Sequence, residues 1–158
     1  PAVVRDAKSV NEALTLISQT STSFISRGDD SGTHKLEVSL WRSSGLDPTE
    51  FGKWYKSVGS GMGASLNVSA SMGAYILSDR ASWLNFKNKS DLEILFEGDK
   101  LLFNQYSLIP INPNLHTHVK YQLVEKLENW LTSTVAKDLI NGYEIDEQSL
   151  FKFNAKQK

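Results

Sequence analysis

The chain has 158 residues, 40% of them apolar and 22% charged, enough to bury one sizeable core in an ordinary globular domain. Its formal net charge of −1 sets up no global field for nucleic acid or an acidic membrane surface, so any anion preference has to be local. There is no cysteine, which excludes disulfides and thiolate metal sites, and no run approaches the roughly 18 to 20 apolar residues of a membrane-spanning helix.

The opening "PAVVRDAKSV" has no charged-then-apolar leader and reads as a fragment or a processed product. From Ser9 to Ser18, Val10, Ala13, Leu14 and Ile17 recur at helical spacing, and Ser9 with Glu12 three residues later forms a capping signal. "TSTSFIS" reads as a short strand closed by the turn "RGDD". A second helix is predicted over about Ser31 to Ser43, with Leu36, Leu40 and Trp41 inward and its end near Gly45. In "LDPTEFGKWYKS", Asp47 before Pro48 marks another helix start. "VGSGMGASLNVSASMGAYILSDR" then gives a glycine turn, a helix and the strand "AYILS". A brief helix around Trp83 to Phe86, the strand "LEILFE" and the extended apolar run "YSLIPI" follow. Two helices close the chain, one with Leu123, Leu127, Trp130 and Leu131 on one face, and a short one ending at Gly142. This alternation predicts an α/β layer structure with helices on both faces of a central sheet.

In such a sheet, ligands sit beyond the carboxyl ends of the strands. "FISRGDDSGTH" puts Arg27 at one such end and starts a helix a few residues later. The first N–H groups of that helix, near Ser31, Gly32 and Thr33, lack intrahelical partners and carry the positive end of the helix dipole, an arrangement that binds oxyanions. Arg27 adds a charged fork, and the Ser31 and Thr33 hydroxyls add donors. "GSGMGAS" offers a second helix start, where Gly59, Gly61 and Gly63 let a ligand approach the backbone. It lacks the Gly-Lys-Ser/Thr of a nucleotide-hydrolysing loop. Plain turns and caps account for both stretches as well.

Asp29 and Asp30 stand against an anion unless they have other work: Asp30 as the helix cap, Asp29 as the partner that orients Arg27. Adjacent turn carboxylates diverge, which weighs against an acid and base pair. His34 beside Asp30 and Ser31 makes no triad by role. His116 and His118 in "LHTHV" have no third ligand nearby and read as solvated loop residues, so no metal site is expected. Arg80, in "SDR", either faces the same crevice as Arg27 or pairs with Asp79 or Glu97, and pairing is the expectation. The tripeptide Arg27 to Asp29 is too short to count as an adhesion motif.

Four stretches in order, "FISRGDDSGTHKLEVSLW", "WYKSVGSGMGASLNVSASMGAYILSDRASWL", "LEILFEGDKLLFNQYSLIPINP" and "WLTSTVAKDLINGY", resemble the tungstate-binding subfamily of bacterial extracellular solute-binding proteins, from about Phe24 to Phe153. That resemblance implies a three-layer lobe of the periplasmic-binding-protein type II kind, with a mixed central sheet. It implies a non-enzymatic, cofactor-free protein that traps tungstate or molybdate between two lobes, in the periplasm or outside the cell, for delivery to an ABC-transporter permease. By residue match Arg27 would be the site arginine and Thr33 the site threonine, joined by Ser31 and Gly32 and by the amides of Ser60, Gly61, Met62 and Gly63. Residues 1–103 would form the second, ligand-binding lobe and 104–158 a hinge-crossing strand with helices returning towards a first lobe that precedes this region. A lone second lobe would expose its lobe-facing surface and form a homodimer. A phosphate binder of similar architecture is the alternative, and an enzyme acting on a phosphorylated substrate the third reading.

Overall fold

The computed structural model describes residues 2–156. It divides into two compact units, Pro1–Asn104 and Gln105–Lys158.

In the first unit, helices α1 (Ala2–Arg5) and α2 (Val10–Thr20) precede β1 (Phe24–Ser26). Ser9 caps α2 by accepting from the Glu12 N–H, while the Glu12 carboxylate reaches back to the Lys8 N–H, so two otherwise orphaned donors are satisfied. Val10, Ala13, Leu14 and Ile17 are all buried, as their spacing predicts. Helix α3 (Gly32–Ser43) follows β1; α4 (Met62–Met72) follows β2 (Tyr55–Ser57) and leads to β3 (Tyr75–Ile76). α5 (Arg80–Asn85) is the expected brief helix.

The three strands pair in the order β2-β1-β3, all parallel, with Phe24 opposite both Tyr55 and Tyr75. The connection from β1 to β2 and the one from β2 to β3 run in opposite directions across the sheet, which for right-handed crossovers puts α3 and α4 on opposite faces. Two separate buried clusters agree with that placement. Phe24, Leu40 and Trp41 pack with Val10, Leu14 and Ile17 of α2, and Met62, Leu66 and Phe86 pack with Ile76 and Trp83. The first is rich in rings: Trp41 meets Phe24 edge-on at 5.1 Å between centroids, and Phe24 stacks on Tyr55 at 5.8 Å.

The chain departs from the sequence expectation in several places. Asp47 caps only a single 3-10 turn, Pro48–Glu50, by accepting from the Thr49 N–H. Strand β2 was not anticipated, because "WYKS" is too short and too polar to announce itself. Leu92–Glu97 joins no ladder among the described residues; Leu95 and Phe96 instead pack on the first cluster as extended chain. The mixed sheet expected from the resemblance resolves, among the described residues, into this parallel sheet and a separate antiparallel pair in the second unit.

The second unit holds α6 (Tyr121–Leu131), α7 (Thr134–Asn141) and the pair β4 (Glu144–Ile145) and β5 (Gln148–Ser149). Ser133 caps α7 by accepting from the Ala136 N–H. Helix α6 has the predicted apolar stripe, but its Leu123, Leu127 and Trp130 are exposed, as is Leu139 of α7.

Candidate functional site

Parallel strands that end together bring their following loops together, and here the loops after β1 and β2 are bonded side by side. The Val58 N–H donates to the Ser26 carbonyl at 3.0 Å, and the Ser60 N–H donates to the Arg27 carbonyl at 3.1 Å. Gly28 allows this approach. Its φ is +61°, and a Cβ built on it would lie 1.7 Å from Ser57 Oγ and 3.5 Å from the Gly59 nitrogen. Gly28→Ala is therefore expected to cost more than about 2 kcal/mol of stability, combining a left-handed backbone with a steric overlap. Adding Ser57→Gly should recover only part of the loss, since it relieves the overlap and leaves the φ strain. Urea unfolding midpoints of both variants check this.

Arg27 sits at the tip of β1 with its side chain 17% exposed. One terminal nitrogen pairs with Asp29 Oδ2 at 2.5 Å, and Nε is buried without a hydrogen-bond partner among the described residues. Asp29 is thus the orienting partner that its position implied. Its other oxygen accepts from the Ser31 N–H at 3.3 Å. Hydrogen bonding from Ser31, then from Arg27, outweighs desolvation and holds this carboxyl down at about 2, so it is ionised at any physiological pH.

Asp30 does not cap α3. It adopts the left-handed region with φ 57°, and its carboxylate turns out to solvent, 3.3 Å from Lys35 Nζ. Ser31 takes the cap, its hydroxyl accepting from the His34 N–H at 3.3 Å. The physical reason is the Asp29 bond to the Ser31 N–H, which fixes Ser31 at the helix entrance and rotates Asp30 away. The Gly32 and Thr33 N–H groups make no hydrogen bond among the described residues.

At α4, Gly61 is the cap position and has no side chain to offer, which leaves the Gly61, Met62 and Gly63 N–H groups without partners among the described residues. The buried Ser65 hydroxyl lies 3.3 Å from the Ser60 carbonyl and 3.2 Å from that of Gly61, which holds these acceptors towards the helix. One predicted member changes meaning. The Ser60 N–H is already engaged by the Arg27 carbonyl, and the Met62 side chain is buried in the second cluster, so only its backbone faces outward. Arg80 pairs with Glu97, as expected. Asp79 caps α5. Among the described residues no cluster of potential ligands suits a metal ion, and no helix is long and apolar enough to cross a membrane.

Sequence reasoning missed a buried polar group behind this edge. Glu37, on the second turn of α3, is 3% exposed. Its Oε1 accepts from Trp41 Nε1 at 3.1 Å and from the Tyr55 hydroxyl at 2.7 Å. Burial pushes the Glu37 carboxyl above the ordinary range, against the opposing effect of these donors. The signal was present in "HKLEVSLW", where Glu37 and Trp41 stand four apart on the inward face.

The sequence of residues 3–135 matches the family model described as a PBP superfamily domain. The chain is 43% identical over 131 residues to the tungstate-binding protein TupA of Peptoclostridium acidaminophilum, which covers 83% of this chain and 45% of that protein. It is 37% identical over 155 residues to TupA of Campylobacter jejuni, covering 96% and 57%. Among solved structures, the tungstate-binding protein TupA from Desulfovibrio alaskensis superposes with a TM-score of 0.85 at 40% identity, over 99% of this chain and 64% of that one. The chain thus spans about half the length of the curated relatives it matches. The resemblance carried by the four sequence stretches holds, and with the parallel sheet and its paired helix starts it places the chain in the PBP superfamily.

Proposed function

We propose that this chain is the oxyanion-binding lobe of a solute-binding protein serving an ABC transporter, with tungstate as its ligand and molybdate as the close analogue. Arg27 supplies the charge, Thr33 and Ser31 the hydroxyls, and Gly32, Thr33, Gly61, Met62 and Gly63 the backbone donors. Residues 1–103 form the second lobe, and 104–158 return towards the first lobe, which closes over the anion. The protein works outside the cytoplasmic membrane, passes its ligand to a permease, and needs neither cofactor nor chemistry on the ligand.

The observation that carries this reading is a donor set without a free acceptor. Two helix starts and one guanidinium converge at the carboxyl edge of the sheet, while both Asp29 oxygens are bonded and Asp30 points at Lys35. A fully deprotonated dianion needs donors only. Hydrogenphosphate keeps a proton that would seek a carboxylate, so the phosphate alternative loses ground. Calorimetric competition among tungstate, molybdate, sulfate and phosphate on the full-length protein tests it: tungstate and molybdate should displace the others, and preference for phosphate would overturn the assignment.

Thr33→Val keeps the side-chain shape and deletes one hydroxyl. It should lower tungstate affinity by about 1 kcal/mol or more with the melting temperature nearly unchanged. A fallen melting temperature with unaltered affinity would assign Thr33 to the helix start alone.

A further inference from the structure

Glu37 lies one helical turn beyond Thr33, behind the helix start assigned to the anion, and nothing in the binding reading uses it. Its surroundings are poor in charge. The titratable groups that face it are Tyr55 from β2 and, one turn earlier on α3, His34. Tyr75 of β3 packs on the same cluster, whereas α2 contributes only apolar residues, Val10, Ala13, Leu14 and Ile17. From β1 comes the fully buried Ser26, next to Arg27 in the chain, whose hydroxyl lies close enough to affect Glu37 yet forms no hydrogen bond.

This geometry fits a neutral carboxyl. Both strong donors, Trp41 and Tyr55, converge on Oε1, which leaves Oε2 to carry a proton, and no cation bonds either oxygen among the described residues. An ionised Glu37 would instead place a charge that no cation neutralises in a buried pocket one turn from a bound dianion. Like charges at that range repel, and little water intervenes to screen them.

We propose that Glu37 is a positioning residue of the oxyanion site, one that keeps its proton while the anion is bound and weakens the anion's hold when it loses that proton. The proposal rests on the oxyanion reading. By linkage the coupling is reciprocal: bound anion favours the protonated carboxyl, and deprotonation disfavours the anion. The sign follows from burial. The neutral form is favoured in the folded protein, so its contribution is complete at acid pH and is lost as pH rises through the folded-state titration.

The test uses the full-length protein and tungstate, which stays a dianion throughout the range. As pH rises through the Glu37 titration, wild-type affinity should fall, by up to about tenfold per pH unit for one linked proton. Calorimetry in buffers of different ionisation enthalpy should show proton uptake on binding at the alkaline end. Glu37→Gln keeps an Oε1 acceptor for Trp41 and Tyr55 and cannot titrate. It should bind tungstate with no linked proton and a flat pH profile. Parallel pH profiles, equal proton uptake, or a Gln variant that does not fold would each overturn the proposal. Should the wild type bind no tungstate at any pH, the oxyanion reading fails. Melting profiles then judge the neutral carboxyl on its own: a midpoint that falls with rising pH in the wild type and not in Glu37→Gln supports it, and identical profiles overturn it.

Discussion

Arg27→Ala in the full-length protein is expected to weaken tungstate binding by more than about 2 kcal/mol, the loss of a charge-assisted donor from a partly desolvated site. The side chain is mostly covered, its Nε has no partner among the described residues, and Asp29 fixes its plane, so the guanidinium is pre-organised before any anion arrives. Asp29 adds a second consequence. Without Arg27 its carboxylate keeps only the Ser31 bonds and becomes an unbalanced negative charge beside the helix start. Arg27→Lys should restore part of the affinity, because an ammonium returns the charge without the planar fork. Isothermal calorimetry on the three proteins settles the order. Unchanged binding in the alanine variant would remove Arg27 from the site, and full rescue by lysine would reduce its role to charge alone.

What the sequence revealed follows the range of the physics involved. Helices α2 and α3 were legible because their apolar positions recur at helical spacing, and α2 also because it begins at a serine cap, both properties of neighbouring residues. The Arg27 to Thr33 stretch was legible for the same reason, since a strand end, a turn and a helix start all lie within one short segment. Strand β2 was hidden because its ladder partner, β1, lies about thirty residues earlier and only the tertiary fold brings them together. The Gly28 requirement was hidden too: a glycine in a turn is ordinary, and only the position of Ser57 makes it indispensable. Asp30 shows competition between two local rules. Asp is as good a cap as Ser, and the choice fell to Ser31 once Asp29 claimed its N–H. Glu37 was overlooked because a charged residue on an inward helix face is normally read as a boundary of that face. Its partner Tyr55 comes from another element, β2.

The other large effect concerns closure. A dianion held from one side remains partly hydrated, and water screens each contact; a facing lobe that excludes water strengthens them together. The 158-residue chain alone should therefore bind tungstate much more weakly than a longer protein with the remaining length of its relatives. It should also associate with itself. In the second unit the stripe of α6 leaves Leu123 57%, Leu127 51% and Trp130 48% exposed, and Ile109 in the preceding extended run is 80% exposed. Burying such side chains gains about 1.5 to 3 kcal/mol each, so a few paired across an interface can offset the entropy lost on dimerisation. Charged substitutions at Leu123 and Leu127 should return the chain to monomer without disturbing the first unit, whose core lies elsewhere. Light scattering over a concentration series, beside tungstate calorimetry on the short and long proteins, separates the outcomes. A chain that stays monomeric at high concentration and matches the long protein's affinity would mean that Arg27 and the two helix starts already form a complete site, and the two-lobe reading would then fall.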